Sequence, residues 1–194
     1  DIRKHNVEYD DVMNQQRQII YEVRKKVLET ASRVQGSSAS QKKDTSLKTE
    51  LLEKIEREIV SVVTIYSEEG IDAKKIVQEF STVVPIDENS QKDMEKQIST
   101  FTSADETIKF LVDLAIHFYN EREKNVGEEI ARQMEVFVYL NTIDTLWIEH
   151  LDTMDDLRSG IGLRGYAQRD PLIEYKREGF ELFEKLMVEI DYEI

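Results

Sequence analysis

The 194-residue chain has no cysteine, only 2 prolines and only 7 glycines. The missing cysteine excludes a disulfide framework, a zinc ribbon and a thiol nucleophile. No apolar run approaches the ~20 residues that span a bilayer, and Asp1-Ile2-Arg3-Lys4-His5 lacks the apolar core of a signal peptide. Sheet-rich folds turn about every 8 to 12 residues and use Gly, Pro and Asn to do so. Stretches of over 30 residues here contain neither Gly nor Pro, so the fold class is read as all-α. Positive charge is also in deficit: 40 Asp and Glu face 26 Lys and Arg, a formal net of -14. Phosphate backbones are bound by clustered Lys and Arg, so no nucleic-acid partner is expected. A hydrophobic fraction of 40% can supply a core, which argues against wholesale disorder. The setting expected is soluble, reducing and cytoplasmic.

What is present is helical periodicity. Ile2, Tyr9, Val12, Met13, Ile19, Ile20, Val23, Val27, Ala31 and Val34 recur at steps of three, four or seven and predict one long helix. At 1.5 Å per residue it spans about 50 Å, against a radius of gyration of ~16 Å for a compact chain of this length, so an elongated molecule is expected. Gly36-Ser37-Ser38-Ala39-Ser40-Gln41 reads as a linker. Leu47, Leu51, Ile55, Ile59, Val62 and Tyr66 mark a second helix that Gly70 ends, and Asp72 can cap a short helix carrying Ile76, Val77 and Phe80. Pro85 disfavours helix before it, so Val83-Val84-Pro85-Ile86 is read as extended. Ser103-Ala104-Asp105-Glu106 is a capping box opening a helix with Ile108, Leu111, Ala115 and Phe118 on one face. The pattern weakens around Asn125 and Gly127. It resumes as Ile130, Met134, Phe137, Leu140, Ile143, Trp147, Leu151, Met154 and Leu157, which outweighs the strand propensity of Val136-Phe137-Val138-Tyr139. Three glycines then fall between Ser159 and Tyr166, Pro171 follows, and Tyr175, Phe180, Phe183, Met187 and Ile190 form a last stripe. An antiparallel helical hairpin is expected, with a loop at 159–170.

Gly160-x-Gly162-x-x-Gly165 matches the dinucleotide-binding glycine signature, but that signature works between a strand and a helix N-terminus. A long helix precedes it here, and chain reversal is the better reading. His5, His117 and His150 form no metal-binding pattern. His150, beside Trp147 and Leu151 on the apolar seam, is read as a hydrogen-bonded packing residue. Asp10-Asp11 and Asp155-Asp156 point about 100° apart as helix neighbours and are read as solvated charge. No catalytic constellation, cofactor site or metal site is found in the chain. The distinctive feature is an inversion of charge: Arg158, Arg164, Arg169, Lys176 and Arg177 against Asp170 and Glu174 give a net of +3 between acidic flanks. A basic tip carrying Tyr166 on two helices has the character of a contact probe.

Several motifs carry a family resemblance. Arg3-Lys4-His5, Glu8-Tyr9-Asp10-Asp11-Val12, Asn14-Gln15-Gln16-Arg17 and Ile20-Tyr21 resemble the long scaffold helix of the SecA family, ATP-driven motors of bacterial preprotein export. Leu146-Trp147, Glu149-His150, Met154-Asp155, Leu157-Arg158, Gly160-Ile161, Leu163-Arg164-Gly165-Tyr166-Ala167-Gln168, Asp170-Pro171, Glu174-Tyr175-Lys176-Arg177-Glu178 and Phe180 resemble that family's two-helix finger. The motifs cover about half of the chain; residues from Gln35 to about Phe101 match in helical character alone.

The resemblance implies a scaffold helix and linker over 1–40, a helical wing domain over 41–126, and a finger with a return scaffold helix over 127–194. It also implies a fragment of the motor, with the domains that bind ATP and magnesium upstream of Asp1. The finger would enter the cytoplasmic mouth of the SecYEG channel and touch the preprotein through Tyr166, with Leu163, Arg164, Gly165, Ala167 and Gln168 around it. Further partners implied are the nucleotide-binding domains of the same parent and an anionic lipid surface, with the parent cytoplasmic and peripheral on the inner face of the plasma membrane. Gly162 departs from the pattern, since many members carry histidine there, and a third glycine adds backbone freedom at the tip. The alternative is a free-standing acidic helical adaptor.

Overall fold

A computed structural model describes residues 2–36, 47–164 and 170–194, and the side chains of 7–30, 47–161 and 170–194. The described residues form seven helices and no strand: α1 (Ile2–Gly36), α2 (Leu47–Ile65), α3 (Ala73–Val83), α4 (Glu88–Ile98), α5 (Ala104–Val126), α6 (Glu128–Arg164) and α7 (Pro171–Glu193). The chain divides into two compact units, Asp44–Arg132 and Asp1–Lys43 with Gln133–Ile194. The linker read at 37–41 lies outside the described residues.

In the unit 44–132 the helix ends follow local chemistry. Asp72 caps α3 by accepting from the Lys75 amide, and Val84 beyond its end is extended, as the following Pro85 requires. Gly70, at φ +124°, sits in the turn between α2 and α3 rather than directly at the end of α2. Ser103 accepts from the Glu106 amide, but Glu106 reaches back to the Thr102 amide at 3.0 Å instead of to the cap residue's own N–H. Helix α4, opened by Asp87, is an element that the apolar periodicity passes over. It buries two side chains, Met94 and Ile98, and depends on its cap and on α3 for support. The core of this unit gathers Ile59, Val63, Ile76, Val77, Phe80, Leu111 and Ala115. Phe118 stays 40% exposed. Lys48 of α2 donates to Asn120 and pairs with Glu123 of α5 at 2.6 Å, and Arg132 also pairs with Glu123. Gly127 breaks α5 from α6 at φ +89°, a conformation that other L residues rarely adopt.

In the other unit α6 and α7 run antiparallel, since Met154 meets Gly179 and His150 meets Phe183. Helix α1 runs parallel to α7 and antiparallel to α6: Tyr9 packs on Tyr175, while Asp10, Gln16 and Arg24 reach Arg158, His150 and Asp144 in turn. The buried stripes correct three expectations. On α1 the seam is Tyr9, Gln16, Ile20 and Val27, and Ile19 is exposed. On α6 it runs Glu135, Tyr139, Ile143, Trp147, His150, Met154, Leu157, Ile161, leaving Met134 and Phe137 on the outside; Ile130, in the unit 44–132, is also exposed. On α7 Gly179 takes the seam position and Phe180 faces out. In each case two apolar stripes share one helix, and periodicity alone does not say which one meets a neighbour.

The stretch expected to be a loop from residue 159 is helical as far as Arg164. Two interior glycines cost up to about 1 kcal/mol each relative to alanine. Continuing the helix lets Ile161 bury one turn beyond Leu157 against Tyr9, Leu172 and Tyr175, and a buried aliphatic side chain contributes about 1.5–3 kcal/mol. Helix α6 ends at Arg164 and α7 begins at Pro171. Asp170 then caps α7 by accepting from the Leu172 amide at 2.9 Å, with Pro171 in the first turn, where its missing N–H costs nothing.

Candidate functional site

The residues singled out for contact fall at 163–168, between the body of α6 and the start of α7 along the chain. Leu163 and Arg164 end α6, with side chains outside the described residues; Gly165, Tyr166, Ala167 and Gln168 lie wholly outside them. What the structure describes is the mount, the packing of α6 and α7 on α1, built at three successive levels.

The upper level is the neck. Tyr9, Met154, Leu157, Ile161, Leu172 and Tyr175 form one buried cluster, with Val12, Met13 and Leu182 against it. The Tyr9 and Tyr175 rings stand 4.7 Å apart at 55°. Arg158 donates to Asp10 at 2.9 Å, and its guanidinium lies 5.6 Å from the centre of the Tyr9 ring. Burial raises both tyrosine pKa values, reinforced for Tyr9 by Asp170 and opposed by Arg158. Both are therefore neutral hydroxyls at physiological pH.

The middle level is polar. Gln16 of α1 donates through Nε2 to the Gly179 carbonyl at 2.9 Å, and its Oε1 lies 2.9 Å from His150 Nε2. His150 stacks on Trp147 and meets the tilted ring of Phe183, and its burial lowers its pKa. The packing role read for His150 is what the structure shows. Gln16 is the residue that apolar periodicity passes over. Its signal is positional, seven residues after Tyr9 and four before Ile20, inside the apolar face. Gly179 makes the contact close: a Cβ there would meet Met154 Cε at 2.9 Å and Val12 Cγ1 at 3.7 Å. The lower level is an ion pair, Arg24 with Asp144, at 2.8 Å.

The basic patch counted in the sequence is partly neutralised. Arg158 is paired with Asp10, so Asp10 is a partner rather than merely solvated charge. Arg177 is paired with Glu174 and Glu181 on its own helix. Lys176 is exposed, and the side chains of Arg164 and Arg169 fall outside the described residues. Among the described residues no three His, Asp or Glu side chains converge in a way that could hold a metal ion. No described helix is long and apolar enough to cross a membrane. Mechanically, the arrangement ties the hairpin of α6 and α7 to a long helix at three points.

Comparison with known proteins is consistent along the whole chain. The family model described as the SecA Wing and Scaffold domain matches residues 1–194. The protein translocase subunit SecA of Thermodesulfovibrio yellowstonii is 40% identical over 187 residues, which are 96% of this chain and 19% of the relative. That of Chloroflexus aggregans is 36% identical over 194 residues, 100% of this chain and 18% of the relative. The chain thus spans about a fifth of the length of these relatives.

Proposed function

This chain belongs to the SecA wing and scaffold family, and on that premise we propose that it is the scaffold, wing and two-helix finger of a protein-export motor. The observation that carries the reading is the family match over all 194 residues. In this reading α1 is the scaffold helix, the helices within Asp44–Arg132 form the wing, and α6 with α7 forms the finger. ATP and magnesium are bound by other domains of the parent, and their motion reaches the finger through α1.

The three-level mount supports this mechanical role. An apolar neck, a buried hydrogen-bonded pair and an ion pair resist sliding, twisting and splaying of the hairpin on α1, so displacement of the scaffold helix carries the finger with it. The tip, with Tyr166 and its neighbours Leu163, Arg164, Gly165, Ala167 and Gln168, contacts the preprotein at the cytoplasmic mouth of the SecYEG channel. The amphipathic tyrosine ring grips varied side chains and backbone without demanding one sequence. The parent works from the cytoplasm, peripheral to the membrane and against an anionic lipid surface.

The test is Tyr166→Asp in the full-length parent. A charged, shorter side chain removes the ring contact, so ATP-dependent preprotein translocation should fall at least about tenfold, the equivalent of ~1.4 kcal/mol, while nucleotide binding is retained. Translocation equal to wild type would remove Tyr166 from the role given to it.

A further inference from the structure

Gln16 is 5% exposed in a face whose other buried members, Tyr9, Ile20 and Val27, are apolar. Its hydrogen bonds have an imposed polarity. The Gly179 carbonyl can only accept, so the Gln16 nitrogen must face it. That leaves Oε1, which only accepts, against His150 Nε2, and this nitrogen must therefore carry the proton. One amide thus engages α7 through its backbone and α6 through a side chain. Apolar contacts tolerate sliding by a turn, because one aliphatic surface fits another nearly as well. A buried amide does not, since slippage leaves two donors and two acceptors desolvated without partners. A single polar residue in an apolar helical seam fixes register in this way in coiled coils.

We propose that Gln16 is a positioning residue, a polar latch that holds α1 in one register against both helices of the hairpin and keeps His150 in its Nε2–H form. The inference concerns packing within this chain and stands whether or not the finger touches a preprotein. The groups against the His150 ring are Trp147 from α6, Phe183 from α7 and Gln16 from α1. Of the charged residues flanking them, Glu149, Arg17 and Glu184 are exposed, and Glu178 lies 3.6 Å from Arg177. Gln16 is therefore the polar side chain through which a substitution on α1 reaches the ring.

The experiment is nuclear magnetic resonance on the 194-residue chain, using the indole N–H of Trp147, its one tryptophan, and the ring nitrogens of His150. Wild type should give one indole signal and a His150 Nε2 proton protected from solvent exchange. Gln16→Met keeps the volume and removes the hydrogen bonds. It should fold, give more than one indole signal and exchange the Nε2 proton at least about tenfold faster, as loss of a roughly 1.4 kcal/mol bond implies. Gln16→Glu places a carboxylate on the ring and should raise the pKa of His150. The proposal is overturned by a Gln16→Met chain that keeps a single indole signal and wild-type exchange, by one that fails to fold, or by an unchanged His150 titration in Gln16→Glu.

Discussion

At the residue scale, His150 makes the stability of its helical unit depend on pH. Burial lowers its pKa in the folded state, so just below the ordinary value of about 6.5 the unfolded chain binds more protons than the folded one. Stability rises with pH through that window: the contribution of neutral His150 is present above about 6.5 and is lost as pH falls below it. Wild type should therefore lose more stability between about pH 7.5 and 5.5 than His150→Asn does, measured by urea denaturation at both values. Equal losses would mean that the imidazole is not desolvated as the structure has it. Other residues at this scale act by what they lack. Gly179 has no side chain, and its carbonyl and surface let Gln16, Val12 and Met154 close on one point of α7.

At the element scale, the length of α6 decides how far the helical part of the hairpin extends. Gly160 lies inside the helix, and a Cβ there meets nothing within 4 Å. Gly160→Ala should therefore stabilise the chain by about 0.5–1 kcal/mol, read as a higher denaturation midpoint, because alanine loses less backbone freedom in a helix. A lower midpoint would indicate a conformation at residue 160 that needs glycine. Helices α3, α5 and α7 were legible because their starts carry strong local chemistry, with Asp72, Ser103 and Asp170 as caps, and α1, α2 and the body of α6 were legible from apolar periodicity. The end of α6 was not. Its glycines signal a loop locally, while the burial of Ile161 that keeps the helix going depends on Tyr9, 152 residues earlier. Helix α4 escaped notice for the opposite reason, with too few apolar positions to make a stripe. In the candidate site, the tip motif and His150 could be read from the chain. Gln16 could not, because a polar residue on an apolar face looks like an interruption until its two partners are in view.

At the scale of the whole molecule, formal charge and local field diverge. The chain carries a net of -14, and two of the five cations counted around the hairpin reversal are held by carboxylates, one of them from α1. Adding Asp10, the α1 partner of Arg158, to the count lowers the net from +3 to +2. The chain is about a fifth of the length of its relatives, and the role assigned to it is that of a coupling element. The most direct measurement is site-specific photocrosslinking in the full-length parent, with a photoreactive residue at position 166 and a preprotein arrested during ATP-driven translocation. The account predicts adducts between position 166 and the preprotein that depend on ATP and are missing when the probe is moved to exposed Glu149 on the mount. Adducts of equal yield at both positions, or none at 166, would contradict it.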